Sequence, residues 1–331
     1  ELDKMVGRFV PPQCSARFQL SPPRPVLAQQ WKVFDSYKAI TCPLILCKSG
    51  WVEMAGINKN AAQIRANVVS NKRVGQYHQL IINIGDLAQS CRPGNFVAIS
   101  VGGENSRMIL RRAFAISRVS VNSISGGTME LIVAPHGQGS KWLCSQGEGA
   151  ILDMVVPLGT AFGIPTEPVQ VLLVGGGYGS APLFGLAEVL NAKGCRVDML
   201  LGASTASKIY APMEGKRAVN SLRIYTEDGS MGQSGRVTEP IAGLIQDLNI
   251  AVIYSCGPMA MLSAIDEITR GTDVVHQCAV EESMACGIGI CMTCVLPVAD
   301  KDGNIAMLRS CVDGPVMDGS FVQWDKVGKA L

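Results

Sequence analysis

The sequence predicts a β barrel or sandwich, followed by a parallel α/β domain and a short cysteine-bearing C-terminal segment. Three observations carry that prediction. From Ala66 onward, short Val- and Ile-rich segments follow one another with Gly, Pro and Asn between them, which is how an antiparallel barrel or sandwich reads. After Pro165 the pattern becomes apolar strand, glycine-rich turn and helix, repeated, as in a parallel sheet with helical crossovers. Near the end, four cysteines fall at a defined spacing.

With 331 residues and 47% apolar content, the chain can bury a core of two or three domains. Twenty-nine Lys and Arg stand against 27 Asp and Glu, a balance that argues against a nucleic-acid partner. The first stretch, Glu1 to about Asn60, is rich in Pro, Gln and Ser, carries "PPQ" and "SPPRP", and has no sustained periodicity. It reads as a mildly basic extended or wrapping arm. Its best apolar run, "AITCPLILC" (Ala39 to Cys47), contains a proline and is followed by Lys48. It is too short for the roughly 18 to 20 residues of a membrane-spanning helix, so a soluble protein is expected. Twelve cysteines could suggest a disulfide framework, but a long chain with four of them in a defined pattern near the C-terminus fits a reducing compartment better.

The barrel segments are "ANVVSNKRV", "YHQLIINIG", "FVAISVG", "MILRRAFAISRVSV" and "MELIVAPHG". Within them, "LRRAFAIS" sets two fixed charges, Arg111 and Arg112, beside an aromatic, and "APHGQGSKW" opens a short helix near Gly137 to Ser140. Together they could hold a phosphate from two sides; a basic strand and a hairpin turn is the other reading. In the α/β region, "VQVLLVGGG" runs into "APLFGLAEVLNAKG", then "RVDMLLGAS", and later "LNIAVIYSCGP" precedes "MAMLSAIDEITRG". The turn Gly175 to Gly179, with Pro182 at the start of a helix, lets backbone N–H groups approach a pyrophosphate. It is not a clean G-x-G-x-x-G, no Gly-Lys-Ser/Thr follows, and a tight packing turn remains the alternative. "YSCGPMAML" again ends an apolar strand in small residues, at the sheet edge where ligands of open α/β folds lie.

The tail holds Cys286, Cys291, Cys294 and Cys311, spaced C-x4-C-x2-C-x16-C. The first three match the plant-type [2Fe–2S] pattern, in which four thiolates ligate two irons. A structural zinc site is the alternative, although such sites favour C-x2-C pairs. His78, His136 and His276 are scattered without metal or triad spacing, which points to surface or structural roles.

In this order, the motifs resemble the ferredoxin-reductase superfamily and, within it, the electron-transfer subunits of NAD-dependent class 1B dihydroorotate dehydrogenase. "MACGIGICMTC" and "RSCVDGPVM" carry most of the resemblance, which spans about Ala66 to Trp324. It implies a six-stranded FAD-binding Greek-key barrel over 61–165, an NAD-binding α/β domain over 166–271 and a [2Fe–2S] domain over 272–331; nothing in it covers the extension 1–60. On its terms Arg112 would bind the FAD pyrophosphate and Ala113, Phe114 and Ala115 would run along the isoalloxazine. Ala115 stands where the family has Ser or Thr, so a backbone N–H would replace that hydroxyl near flavin N5. Ile132, Val133 and Ala134, with Gly139 and Ser140, would complete the FAD site. Gly175, Gly176, Gly177 and Gly179 would face the NAD(H) pyrophosphate, Thr226 and Asp228 its adenosine, and Cys256, Gly257 and Pro258 its nicotinamide, while the four tail cysteines would hold the cluster.

The implied mechanism passes hydride from NADH to FAD and single electrons to the cluster, with no general acid or base from this chain. The implied partner is an FMN-containing dihydroorotate dehydrogenase catalytic subunit in a hetero-oligomer, in pyrimidine biosynthesis. A cytoplasmic location is expected, with an organelle matrix as the other possibility. A related reductase subunit of a hydrogenase or of a ferredoxin:NAD(P) oxidoreductase is the second reading. A zinc-stapled scaffold without enzymatic activity is the third.

Overall fold

The computed structural model describes residues 58–328 apart from 104–105, 124–125 and 301, so the extension assigned to 1–60 lies almost wholly outside the described residues. The first unit is a closed barrel. Its strands are β1 (Ala62–Val74), β2 (Tyr77–Asn83), β3 (Phe96–Ile99), β4 (Arg112–Ser123), β5 (Gly126–Val133) and β6 (Ile151–Leu158). They pair in the order β1-β2-β5-β4-β3-β6, so the choice between sandwich and barrel falls to the barrel. Alternation drives the closure: Leu80, Ile82, Val97, Ile99, Met129, Leu131, Leu152 and Met154 all pack into one core, as a period of two requires. β6 falls in none of the five segments read from the sequence, and β4 begins at Arg112 rather than near Met108. Helix α1 (Gln138–Cys144) bridges β5 and β6.

The second unit is a sheet of β7 (Gln170–Gly176), β8 (Arg196–Ala203), β9 (Ser221–Thr226), β10 (Gln233–Ser234), β11 (Val252–Cys256), β12 (Val275–Ala279) and β15 (Val316–Asp318). The order is β10-β9-β8-β7-β11-β12-β15, parallel except for the antiparallel edge strand β15. Helices α2 (Ala181–Ala192), α3 (Pro212–Ala218), α4 (Ile241–Leu248) and α5 (Met259–Thr269) connect the strands. The chain winds outward from β7 in one direction and resumes from β11 in the other. That places a topological switch point between these two neighbours, where open α/β sheets bind ligands. The sheet runs past residue 271. β12 and β15 belong to it, although the sequence reading put both in the cluster segment. The reason is physical: the chain leaving α5 re-enters the sheet beside β11, in register from Val252↔Val275 to Cys256↔Ala279.

What remains of the tail is the cysteine loop and a hairpin of β13 (Val295–Ala299) and β14 (Ile305–Arg309). Buried His276 lies at the root of this region. Its Nε2 is 2.8 Å from Ser255 Oγ and burial pushes its pKa down to about 3, a structural role for a neutral ring.

The barrel and the sheet unit are joined through β4 and α2. Ser117 donates to the Ala181 carbonyl at 3.2 Å, and a Cβ at Gly185 would run into the Ser117 carbonyl oxygen. Arg118 lies over the Phe184 ring and pairs with Glu188 at 2.7 Å, Glu214 at 2.6 Å and Glu130 at 3.7 Å. Two of these acids are half-exposed, so solvent screening holds the network below the worth of a buried pair. Arg118→Met is expected to lower the unfolding free energy by about 1–2 kcal/mol, because it leaves Glu130 without its cation. Urea denaturation would measure this, and an unchanged midpoint would show that the network contributes nothing.

Candidate functional site

Three sets of residues converge where the barrel, the sheet and the tail meet. The first borders a cavity of about 460 Å³ at the barrel's end, lined by Met108, Arg112, Ala113, Phe114, Gly137, Gln138, Gly139 and Ser140. Arg111 and Arg112 leave the strand on opposite sides, as adjacent strand residues must. Arg111 turns to β6, pairing with Asp153 at 2.8 Å. The Arg112 guanidinium donates to the Leu110 carbonyl at 2.8 Å and lies against Gly139, where a Cβ would come within 3.3 Å of it. The first N–H groups of α1, which have no helical acceptor, border the same cavity. Ser140 Oγ turns back to accept from the Gly137 N–H at 3.0 Å.

On β4, Phe114 packs toward the barrel core while Ala113 and Ala115 are exposed. Two small side chains on one strand face make a flat shelf. Ile132 and Ala134 pack with the sheet unit, whereas Val133 points into the barrel core. The Val133 side chain, expected at the FAD site, is thus turned away from the outer surface, and its backbone is the part this orientation leaves for a ligand.

The second set lies at the switch point. Gly176 and Gly257, from the ends of β7 and β11, nearly touch: a Cβ on Gly257 would sit 2.9 Å from Gly176 Cα, and one on Gly179 would sit 2.9 Å from Gly257 Cα. Only glycine permits that approach. Gly175 is buried against Ser180, and Gly177 takes a φ of 56°. Pro258 packs against Gly176 and precedes α5. The Cys256 thiol is pushed up to about 12 by burial, with the Glu281 carboxylate adding to the shift.

Tyr178, which is not among the residues expected from the sequence, interrupts the glycine turn. Its ring centroid is 6.1 Å from that of Tyr77 and 5.8 Å from that of His136, and its hydroxyl is 3.4 Å from Glu281. A bulky residue among glycines was the available signal. In the turn after β9, buried Thr226 spends its hydroxyl inside the loop, donating to the Met231 carbonyl at 2.9 Å and accepting from the Met231 N–H at 3.0 Å. The Thr226 hydroxyl thus shapes this turn from within. Asp228 is exposed and accepts from the Ser230 N–H at 3.0 Å. Hydrogen bonds, chiefly from the Ser230 side chain, hold its carboxyl down at about 2.

The third set is the cysteine loop. Cys291 lies within hydrogen-bonding reach of Cys286, and Cys294 of Cys311. The first pair faces outward; Cys294 and Cys311 are each 1% exposed, packed on Phe96, Ala98 and Leu158 of the barrel. Donors already aim at the sulfurs: the Ile288 N–H reaches Cys286 Sγ at 3.4 Å and the Thr293 hydroxyl reaches Cys291 Sγ at 3.1 Å. Thr293 is the first cause of the lowered Cys291 pKa. The loop's positive φ values at Gly287 (71°) and Gly289 (82°) allow it to curl around its own sulfurs. Four thiols on one loop and its partner segment are the donor set that a dinuclear iron-sulfur cluster uses.

An ion pair unforeseen from the sequence supports the loop. Arg309 and Asp313 exchange contacts at 3.1 and 3.4 Å, Asp313 also accepts from the Arg309 N–H at 2.8 Å, and Arg309 Nη1 donates to the Gly289 carbonyl at 3.1 Å. Asp313 is buried.

Comparison with known proteins shows what the whole chain is similar to. The family described as the iron-sulfur cluster binding domain of dihydroorotate dehydrogenase B matches residues 281–323. The electron transfer subunit of dihydroorotate dehydrogenase B (NAD(+)) from Geobacillus thermodenitrificans is 35% identical over 255 residues, 76% of this chain and 95% of the relative. Its counterpart from Caldanaerobacter subterraneus is 34% identical over 255 residues, 77% of this chain and 96% of that protein. Among solved structures, an NADH-dependent reduced ferredoxin-NADP oxidoreductase superposes with a TM-score of 0.68 at 27% identity, covering 80% of this chain and 91% of that one. The ferredoxin reductase of carbazole 1,9a-dioxygenase shares the fold, with a TM-score of 0.52 at 19% identity over 65% of this chain and 67% of that one.

Removing one partner of a buried ion pair costs about 3–5 kcal/mol. Asp313→Ala should therefore free the loop, with faster amide hydrogen exchange over 286–294 and no change in β1 or β2. Asp313→Asn, which keeps one acceptor, should show a smaller increase. Equal exchange in wild type and Asp313→Ala would remove the clamp from the account of this site.

Proposed function

The chain belongs to the family of electron-transfer subunits of the NAD(+)-dependent dihydroorotate dehydrogenase B, and from that premise we propose how its own residues serve the task. It is an oxidoreductase subunit that moves electrons between NAD(H), FAD and a [2Fe–2S] cluster and exchanges them with a dihydroorotate dehydrogenase catalytic subunit in a hetero-oligomer. When bound, the three groups supply the redox chemistry and convert two-electron hydride exchange into single-electron steps. The chain's residues bind, space and shield them.

Arg112 and the first turn of α1 are the proposed seat of the FAD pyrophosphate; their shared 460 Å³ cavity supports this, since fixed guanidinium charge and free N–H groups suit phosphate oxygens. Ala113 and Ala115 are proposed to carry the isoalloxazine on their flat outer face. The Gly175–Gly179 turn and the Cys256–Pro258 turn are proposed to receive the dinucleotide at the switch point. Cys286, Cys291, Cys294 and Cys311 are proposed as the cluster ligands, with Thr293 and the Ile288 N–H donating to two of the sulfurs.

One observation carries the reading. Ala98 pairs with Ala113, and Phe96 with Ala115, and directly paired residues of adjacent strands point to the same face. The cysteine loop packs on Phe96 and Ala98. Flavin seat and cluster seat are then neighbouring strips of one barrel surface, about 5 Å apart in strand spacing. A cytoplasmic location goes with this reading: the relatives are bacterial subunits, and among the described residues no helix is long and apolar enough to cross a membrane.

The test is reconstitution. The purified chain should reduce ferricyanide with NADH but should not reduce orotate; orotate reduction should appear once an FMN-containing dihydroorotate dehydrogenase subunit is added. Orotate reduction by the chain alone would overturn the division of labour. Arg112→Ala should lose FAD affinity by roughly ten- to a hundredfold, as a charge-assisted contact is worth about 1.5–3 kcal/mol, and Arg111→Ala should lose much less. Equal flavin retention after gel filtration would sink this placement. Cys294→Ser should lose iron while keeping flavin and NADH-to-ferricyanide activity, and full iron content would remove Cys294 from the ligand set.

A further inference from the structure

Phe96 is 3% exposed although its side chain leaves the barrel on the outside. Its neighbours Val97 and Ile99 belong to the barrel core, whereas Phe96 and Ala98 pack with Leu158, Cys294, Cys311 and Val312. Three features hold the ring. Gly159 is so close that a Cβ there would sit 2.9 Å from the ring edge. The cysteine loop covers it at Gly287, whose Cβ position is 3.7 Å from Phe96 Cε2. On the remaining side, the paired residue across the ladder is Ala115, the exposed end of the alanine shelf. The ring therefore fills the ground between that shelf and the inner cysteine pair, and its backbone is braced: the Asn95 carbonyl accepts from the Ile116 N–H at 3.0 Å and the Asn95 amide donates to the Gly159 carbonyl at 2.9 Å.

We propose that Phe96 is the positioning residue between the flavin and the cluster: it sets their separation and keeps water out of the gap across which each electron passes. The inference rests on the flavin and cluster assignments above and goes beyond them by naming the side chain that couples the two. Electron exchange falls steeply with separation and with any break in packing, so a dense, fixed spacer holds the rate, and protein interiors are close-packed enough to provide one. When bound, the flavin would supply two electrons and the cluster would accept them singly for the partner, with the flavin's protons released to solvent; Phe96 would be neither oxidised nor reduced and would act by spacing and packing alone. A core phenylalanine with only a structural role would lie inside the barrel with Val97 and Ile99; this one lies in the single strip that separates two proposed carriers.

The experiment uses the full chain with its cofactors, as wild type, Phe96→Leu and Phe96→Ala. Stopped-flow absorbance with NADH separates flavin reduction from cluster reduction. Iron and FAD content, the cluster's midpoint potential and its electron paramagnetic resonance spectrum report whether the centres are intact. Flavin reduction and the midpoint potential should stay at wild-type values. Cluster reduction should slow by about tenfold or more in Phe96→Ala, in line with what small misplacements of reacting groups cost, and by less in Phe96→Leu. Cluster reduction at the wild-type rate in a fully loaded Phe96→Ala would overturn the role. Equal slowing of both steps, a shifted potential, or iron loss in both variants would overturn it too, marking Phe96 as a general support of the loop. A wild-type cluster that NADH does not reduce would instead bring down the functional reading itself.

Discussion

Cys294 and Cys311 press against an apolar strip of the barrel made by Phe96, Ala98 and Leu158, and the use of the remaining parts depends on that contact. Without it, the cysteine loop would be a tail attached to a nucleotide-binding sheet, and nothing would relate its sulfurs to the β4 shelf. With it, distance is fixed by strand pairing, among the least deformable measures a protein has. The contact is dry and close. It therefore gains from the removal of apolar surface from water, at roughly 25 cal/mol per Å², and needs no charge to hold it. A charged residue in this strip would pay desolvation and disturb the fields around two redox groups.

The contact is held from both ends. On one side, β12 and β15 build the start and end of the tail into the seven-stranded sheet, and the Val280 N–H reaches the Pro315 carbonyl at 2.9 Å. On the other, Thr160, just beyond β6, donates its N–H to the Gly314 carbonyl at 2.6 Å, while Gly163 exchanges contacts with Gln277 at 2.8 and 3.3 Å. Barrel, sheet and tail meet at these short segments. The cysteine loop is thus mounted on both other units at once, and Arg309 with Asp313 fixes its inner curve.

Features local in the chain were legible in the sequence. C-x4-C-x2-C is a loop pattern, and its three cysteines are neighbours along the chain, with Cys311 the one more distant addition. The Val- and Ile-rich strands, the glycine turn and the helix after it were legible for the same reason, since period and turn chemistry are local. β6 was not: its alternation, Leu152, Met154 and Val156 inward, runs straight into "VPLGTAFGIP", which reads as a domain boundary. The sheet crosses the expected 271/272 boundary because a strand's membership of a sheet is decided by its partner, here β11 for β12, and not by its composition. That the Thr226 hydroxyl turns into its own loop and the Val133 side chain into the barrel core could not be read in advance, because a motif gives position along the chain and not side-chain direction. Tyr178 and the Arg309–Asp313 pair stayed hidden because their meaning lies in what folds against them.

The cysteine loop also has a direction, which follows from burial alone. Its inner pair is almost solvent-free against the barrel, while Cys291 on the outer pair is exposed beside Ile290, 74% exposed, and Met292, 48% exposed. Exposed apolar side chains scattered singly carry no message, whereas these two flank the same exposed cysteine. The inner pair is thus the barrel-facing side of the loop and Cys291 its solvent-facing side, flanked by two apolar side chains. A partner docked there would bury Ile290 and Met292 and so complete around the outer cysteines the same dry enclosure that Phe96, Ala98 and Leu158 provide for the inner ones.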